Sequence, residues 1–364
     1  MPLPPWLALI DASLAAARRA LEAVASPSPH RPGADGADWD WTTPNKVIRE
    51  LPTMRLREFG TGQGPAVVLV APYALHRATI ADLAPGHSVI EALLGAGVGR
   101  IWLTDWRSAD GTRRHQSIDN QLEDLTVAVD DAGPPAAVVG LCQGGTLAAI
   151  HAARFPAKTA RLAVVGAPVD VAAAPSLLTD LIERTPPAAV ELMLDQGGGL
   201  VLGQTMREAW PKAAADEALM ARVLQRRRVP AALAARFRAW DDDVVDLPGV
   251  FYRQTVEWLF RENRLARGTF PALGRETGLD GVACPLVLVA AREDEIVSPP
   301  QVLAAARHVA TPRDRITTCL VPGRHLSLFM GRDVLGSTWR EIAAFLATAP
   351  PSAARRSRSR PKQA

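Results

Sequence analysis

Cysteine is scarce: Cys142, Cys284 and Cys319 are the only three in 364 residues. Three thiols do not make a disulfide framework, which excludes a disulfide-dense secreted scaffold and points to a reducing compartment. No cluster of Cys and His has metal-ligand spacing, and no glycine-rich loop of the phosphate-cradling kind occurs. Long apolar runs are missing as well. The longest uncharged stretch, 132–153, is broken by prolines and glycines, so no transmembrane segment is expected. The N-terminus lacks a basic region, and Asp11 interrupts its apolar stretch, a poor secretory signal. The expectation is a soluble cytoplasmic protein. An excess of one charge is also absent, with 41 basic against 38 acidic residues. Arg355, Arg356, Arg358, Arg360 and Lys362 crowd the last ten positions, which leaves the body slightly acidic and gives no basis for specific nucleic-acid binding. Aromatic residues make up only 5%, so the core is expected to rest on Leu, Val and Ala. The 48% hydrophobic and 22% charged shares exclude a disordered or collagen-like chain.

Hydrophobic periodicity divides the chain. Leu7, Ile10, Leu14, Ala17, Leu21 and Val24 fall on one face of a first helix, and a turn-rich linker follows. Residues 1–45 therefore read as an amphipathic helix and linker. Met54 to Phe59 alternates like a strand. Ala66–Ala71, Ala136–Gly140 and Pro285–Ala291 are apolar runs, as strands buried on both faces should be, and Arg161–Gly166 reads as a further strand. Helical segments separate them, among them Ile118–Asp131 with Ser117 as N-cap. This alternation predicts an α/β fold with a mostly parallel sheet covered on both faces. The core is placed at 46–172 plus 280–349. Between them, 173–279 shows helical patterns and no convincing strand, as a cap over an active site would. Residues 350–364 read as a basic disordered tail.

Gly140-Leu141-Cys142-Gln143-Gly144-Gly145 lies between a strand and a helix. A nucleophile elbow has the form G-x-S-x-G in that setting, with glycines wherever side chains would strike the neighbouring strand or helix. Here Cys142 takes the serine's place, and a thiolate attacks thioesters readily. The competing reading is a glycine-rich turn holding a structural cysteine. An elbow nucleophile needs an acid after a late strand and a histidine after the last one. Asp294 fills the first position, with Glu293 and Glu295 as competitors. His325 fills the second, with His76 as competitor because it follows the strand at 66–71. His30, His87, His115, His151 and His308 fit worse. The oxyanion donors are expected to be the backbone N–H of Gln143 and one from the loop Pro72 to Arg77, represented by His76. Cys284 and Cys319 are assigned to packing.

These stretches resemble the polyhydroxyalkanoate synthase family, on the α/β-hydrolase fold, from about residue 43 to 346. GLCQGG matches that family's G-x-C-x-G-G box, and TIADLAPGHS resembles its segment ILDL-x-P-x-x-S. The strand ending in Asp105-Trp106, the cap-to-core stretch FRAWDDDVVDLPGVFYRQTVEWLFRENRLARGTF, and the segments AREDEIVSPP and PGRHLSLFMG complete the likeness. LTDWRSAD and LVAPYALHRAT are also similar to the related intracellular polyhydroxybutyrate depolymerases. Two positions depart from the synthase pattern. Glu295 follows Asp294 where histidine is usual, and Arg324 precedes His325 where glycine is usual.

The resemblance implies an acyltransferase with a Cys142–His325–Asp294 triad and a covalent acyl-cysteine. Its substrate would be a 3-hydroxyacyl-CoA, or a polyester in the depolymerase variant, with no cofactor beyond the CoA thioester itself. The short synthases work with a second subunit, so a synthase partner, a granule surface or a second copy of the chain are the partners it leaves open. A hydrolase with the same triad, either depolymerase or thioesterase, is the alternative. A non-catalytic relative that binds granules through its two ends is a third.

Overall fold

The computed structural model describes residues 40–209 and 217–347. The helix expected at the N-terminus and the basic tail lie outside these residues. Among the described residues no helix is long and apolar enough to cross a membrane.

Eight strands form the central sheet: β1 (Asn45–Glu50), β2 (Met54–Phe59), β3 (Val67–Val70), β4 (Ile101–Trp106), β5 (Ala136–Leu141), β6 (Thr159–Val165), β7 (Leu286–Ala291) and β8 (Ile316–Val321). Their spatial order is β1-β2-β4-β3-β5-β6-β7-β8. β1 and β2 run antiparallel at one edge, and the strands from β4 onward are parallel. The all-apolar runs sit where their composition demands: every residue of β3 and β7 is buried. The order reverses around β3, which lies between β4 and β5. In an open α/β sheet a crevice forms at such a reversal, beyond the carboxyl ends of the strands.

Helices α1 (Val89–Gly95), α2 (Ile118–Ala132) and α3 (Gln143–Arg154) link the early strands. Each start has a local cause. Ser88 Oγ accepts from the Glu91 N–H at 2.9 Å, and Asn120 Oδ1 accepts from the Ser117 N–H at 2.8 Å. The segment TIADLAPGHS has a structural reason too. The buried Asp82 carboxylate accepts from Ser88 Oγ at 2.6 Å, Thr42 Oγ1 at 2.7 Å and the Thr43 N–H at 2.9 Å, pinning the incoming chain to the core.

Two expectations need correction. β1 falls between the end of the linker at residue 45 and the strand expected from Met54, where the sequence pattern shows no element. An edge strand with both faces largely open has no apolar alternation, and it is held by its pairing with β2 and by cross-strand contacts such as Lys46 to Glu58 at 3.3 Å. The stretch between β6 and β7 is not purely helical. Leu200–Val201 pairs with Leu247–Pro248, and Phe270–Ala272 with Arg275–Thr277. Strands of two or three residues are too short to show a period of two. Otherwise that stretch is helical: α4 (Leu177–Arg184), α5 (Pro187–Gln196), α6 (Gly203–Ala209), α7 (Glu217–Val223), α8 (Ala231–Asp242) and the run Gly249–Arg261. Trp240 and Phe237 of α8 are among the largest side chains sealed from solvent.

Candidate active site

Cys142 sits between β5 and α3 with φ 49° and ψ −130°, a left-handed backbone that a β-carbon tolerates poorly. Its neighbours show why this turn is written in glycine. A Cβ on Gly140 would lie 2.3 Å from the Gly145 Cα, and one on Gly144 would lie 2.3 Å from the Val70 carbonyl oxygen. A Cβ on Gly145 would lie 2.7 Å from that of Ala167. The three glycines therefore let α3 pack directly on β5, on the end of β3 and on the turn after β6. Cys142 is anchored by its own N–H, which donates to Val165 at 2.8 Å. Its thiol is free and only partly buried.

The two later motifs converge on it. Asp294 follows β7, and His325 follows β8. His325 Nδ1–H donates to Asp294 Oδ2 at 2.8 Å, and both side chains are almost wholly buried. The second oxygen, Asp294 Oδ1, accepts from the Ile296 and Val297 N–H groups at 3.0 and 2.9 Å, which locks the carboxylate plane. With Nδ1 engaged, Nε2 is the ring nitrogen of His325 left to face the Cys142 thiol. Burial alone would push the imidazole pKa down. The charges of Asp294 and Cys142, and their hydrogen bonds, outweigh it and hold His325 well above the ordinary histidine value. The ring is packed edge-on to Phe329 at 5.5 Å between centroids. The short helix behind it is fixed by Trp339 Nε1, which donates to the Leu328 carbonyl at 2.8 Å, and by His87 Nδ1–H, which donates to that of Met330 at 2.7 Å.

The backbone groups expected as oxyanion donors lie at the start of α3 and in the loop after β3. Gln143 opens α3, where the first N–H groups have no partner within the helix. The loop after β3 runs past the same place, since Val70 and Ala71 press on Gly144. Two side chains of β4 shape that loop. Thr104 Oγ1 accepts from the Ala71 N–H at 3.0 Å, and Trp106 Nε1 donates to the Ala71 carbonyl at 2.7 Å. Thus Trp106 of the Asp105-Trp106 pair serves the site, whereas Asp105 faces Arg57 Nε at 2.6 Å in a buried ion pair.

His76 is a competitor for the base only in sequence. Its ring stacks on Trp240, 4.3 Å away, and Nε2 lies 3.5 Å from Asp241 Oδ1, so it is turned to the cap. What remains open to it is the backbone role. His151 is wholly buried, and His308 pairs with Asp170 at 2.9 Å. Cys284 and Cys319 are free thiols packed against the core, and burial pushes Cys284 up to about 11. No group of three or more metal-ligating side chains occurs among the described residues.

Sequence reasoning missed the contacts between the acid and histidine loops. Gly323 N–H donates to Glu293 Oε2 at 2.6 Å, and Arg324 Nε donates to Glu295 Oε1 at 3.1 Å. Both carboxylates were visible only as rivals of Asp294. Their partners lie some thirty residues away, and no local pattern joins them.

The sequence profile described as the α/β-hydrolase fold matches residues 81–329. A poly(3-hydroxyalkanoate) polymerase subunit of Allochromatium vinosum is 25% identical over 297 residues, covering 79% of this chain and 81% of that protein. The corresponding subunit of a Synechocystis strain is 26% identical over 294 residues, 74% of each chain. Among solved structures, a monoacylglycerol lipase from Paleococcus ferrophilus superposes with a TM-score of 0.51 at 17% identity, covering 80% of this chain and 98% of its own. A thioesterase domain from the curacin biosynthetic pathway superposes with the same score at 13% identity, covering 84% and 99%. At such identities the superpositions speak for fold alone. With the matched profile spanning most of the chain, this strand order and an elbow at Cys142, the chain belongs to the α/β-hydrolase fold family.

Proposed function

We propose that the protein is an acyltransferase of the polyhydroxyalkanoate synthase type. The observation that carries this reading is a cysteine at a nucleophile elbow whose charge acts on a buried histidine, which is in turn held by a buried aspartate. The relatives named as poly(3-hydroxyalkanoate) polymerase subunits support a 3-hydroxyalkanoate substrate, and the family likeness described above implies its CoA thioester.

The thiol proton of Cys142 passes to Nε2 of His325, and the sulfur attacks the thioester carbonyl. Asp294 orients the ring and stabilises its charged form. The developing oxyanion is met by the N–H of Gln143 and by the loop at His76. The carbon–sulfur bond to CoA breaks, and the departing sulfur takes the proton from His325. The 3-hydroxyl of a second acyl group then attacks the acyl-cysteine. Its proton moves to His325, the acyl–Cys142 bond breaks, and His325 returns a proton to the thiolate. Each cycle lengthens the ester chain by one unit and releases one CoA. The cap excludes water, so that a hydroxyl is the acceptor. No cofactor takes part beyond the CoA of the substrate. Three free thiols and the family likeness support a cytoplasmic protein that works at the surface of polyester granules, with a second synthase subunit or a second copy as candidate partner.

A second reading keeps the triad and changes the acceptor. The loop 69–79, LVAPYALHRAT, is similar to that of intracellular depolymerases, and it borders the elbow. If water reaches the acyl-enzyme, the protein is a polyester depolymerase or thioesterase. Incubation with 3-hydroxybutyryl-CoA and chromatography of all products separates the two. CoA with enzyme-bound oligomer or polymer marks the synthase, and CoA with free 3-hydroxybutyrate the hydrolase. In either case Cys142→Ala abolishes CoA release; release that survives it defeats both.

A further inference from the structure

Three consecutive carboxylates, Glu293, Asp294 and Glu295, occupy the loop that faces His325. Only one can hold the imidazole in register with Cys142. The histidine loop disposes of the other two. Glu293 is taken by the N–H of Gly323, and its own N–H donates to the Gly323 carbonyl at 3.0 Å. Glu295 is taken by Arg324, the residue directly before His325. The pairing forms a crossed ladder, 294 with 325 and 295 with 324.

The two rungs differ in environment. The Asp294 and His325 side chains are 0% and 5% exposed, whereas those of Glu295 and Arg324 are 37% and 30% exposed. A partly exposed ion pair contributes little to folding. Its consequence here is steric and electrostatic. Glu295 Oε2 is shut away from solvent and has no hydrogen-bond partner among the described residues, so Arg324 is the one guanidinium bonded to this carboxylate there. Released from it, the carboxylate becomes an under-partnered anion one residue from the triad acid, with the imidazole of His325, next in sequence to Arg324, on the facing loop. The Glu295 main chain is meanwhile fixed, because its carbonyl accepts from the N–H of Leu177 at the start of α4. Only the side chain is free to turn.

We infer that Arg324 is a positioning residue: it sequesters the Glu295 carboxylate so that Asp294 alone pairs with His325. The inference rests on the triad reading above. It also accounts for the two departures from the synthase pattern together, since the added carboxylate at 295 and the added guanidinium at 324 neutralise each other across the loops.

The test reads the triad without assuming an acyl substrate. The rate of Cys142 alkylation by iodoacetamide is measured against pH in the wild type, Arg324→Gln, Arg324→Lys, Glu295→Gln and the double variant Arg324→Gln/Glu295→Gln, alongside kcat and KM for CoA release from 3-hydroxybutyryl-CoA. Misplacing a catalytic group by a fraction of an ångström is costly, so Arg324→Gln should lower kcat and the alkylation rate about 10-fold with little change in KM, and should displace the pH profile. Arg324→Lys should recover most of the loss. Glu295→Gln should stay near wild type, and the double variant should return toward it because the competing carboxylate is gone. A purely structural tie predicts the reverse, with Glu295→Gln as damaging as Arg324→Gln and the double variant no better; that result overturns the inference. So does an Arg324→Gln variant indistinguishable from wild type. Thermal unfolding of each variant shows whether a loss comes from misfolding, and Glu295→Gln restoring activity in the double variant cannot come from it. Asp294→Asn is the separate control: if it leaves alkylation and turnover unchanged, the triad reading falls and takes this assignment with it.

Discussion

The imidazole of His76 lies stacked on the indole of Trp240, with 4.3 Å between ring centroids and 27° between their planes. The first residue belongs to the loop after β3, and the second to the cap helix α8. Around them Arg77 Nε donates to Asp243 at 2.8 Å, and the Val245 N–H donates to the Leu75 carbonyl at 2.8 Å. The cap is thus fastened to the same loop that borders the nucleophile elbow. On the proposed mechanism, the element that would keep water from an acyl-enzyme is tied to the loop proposed to supply an oxyanion donor.

Trp240→Ala removes that stack and a side chain that is almost wholly buried. Loss of a buried aromatic costs about 3–5 kcal/mol. The expected result is a lower unfolding midpoint in urea and a larger share of free 3-hydroxy acid among the products. Trp240→Phe should lie between the two. A product distribution unchanged in Trp240→Ala would show that this contact has no part in excluding water.

The raised pKa of His325 has two anionic sources, and each can be removed. Taking away a negative neighbour lowers the pKa of an imidazole. Followed by NMR through its ring protons, His325 should titrate at a lower pH in Cys142→Ala than in the wild type, and again lower in Asp294→Asn. A His325→Gln variant assigns the signal among the seven histidines. An unmoved titration in both variants would mean that neither charge acts on the ring. Turnover in Asp294→Asn should fall by roughly 10²–10⁴-fold, the range expected when a general base loses its orientation and tautomer.

The three thiols should be chemically unequal. Burial holds Cys284 at about 11, and Cys319 is raised by the same cause with Glu341 adding to it, so both are protonated near neutrality and react slowly. Brief iodoacetamide treatment at pH 7 should add one label, located at Cys142 by mass spectrometry. The Cys284→Ser/Cys319→Ser variant should keep that stoichiometry and its CoA release. Labelling of either outer cysteine at a comparable rate would contradict the burial argument.

Acid should destabilise the fold through His151. Its pKa is lowered from 6.5 to about 4, chiefly by burial and then by Lys158, with Asp130 opposing. The unfolded chain binds a proton below about 6.5 that the folded ring refuses until about 4. Stability is therefore complete above pH 6.5 and is lost as the pH falls through that window, by roughly 3 kcal/mol at the bottom. His87, lowered by burial and by Arg226, acts in the same direction. Urea unfolding at pH 7, 5.5 and 4 should show the decline, and His151→Leu should flatten the larger part of it. An equally steep decline in that variant would move the cause elsewhere.

Local constraints made much of this protein legible from one string. Strands buried on both faces must be continuous apolar runs, so β3, β5 and β7 stand out as AVVLVA, AAVVG and PLVLVAA. A turn with φ 49° at Cys142, flanked by backbone at 2.3 Å, admits only glycine on either side, so the elbow is written in six residues. The chain order Cys142, Asp294, His325 then follows from which strand ends lie together. Long-range relationships left no such trace. The letters around Asp294 do not separate it from Glu293 and Glu295, whose partners Gly323 and Arg324 lie on another loop. Likewise His76 and His325 both follow strands that end beside the site, and a tryptophan 164 residues further along draws the first away from it. Sequence determines what each residue can tolerate locally. Which of several equivalent side chains does the work is decided where separate loops meet, by partners that only the folded chain brings within hydrogen-bonding distance.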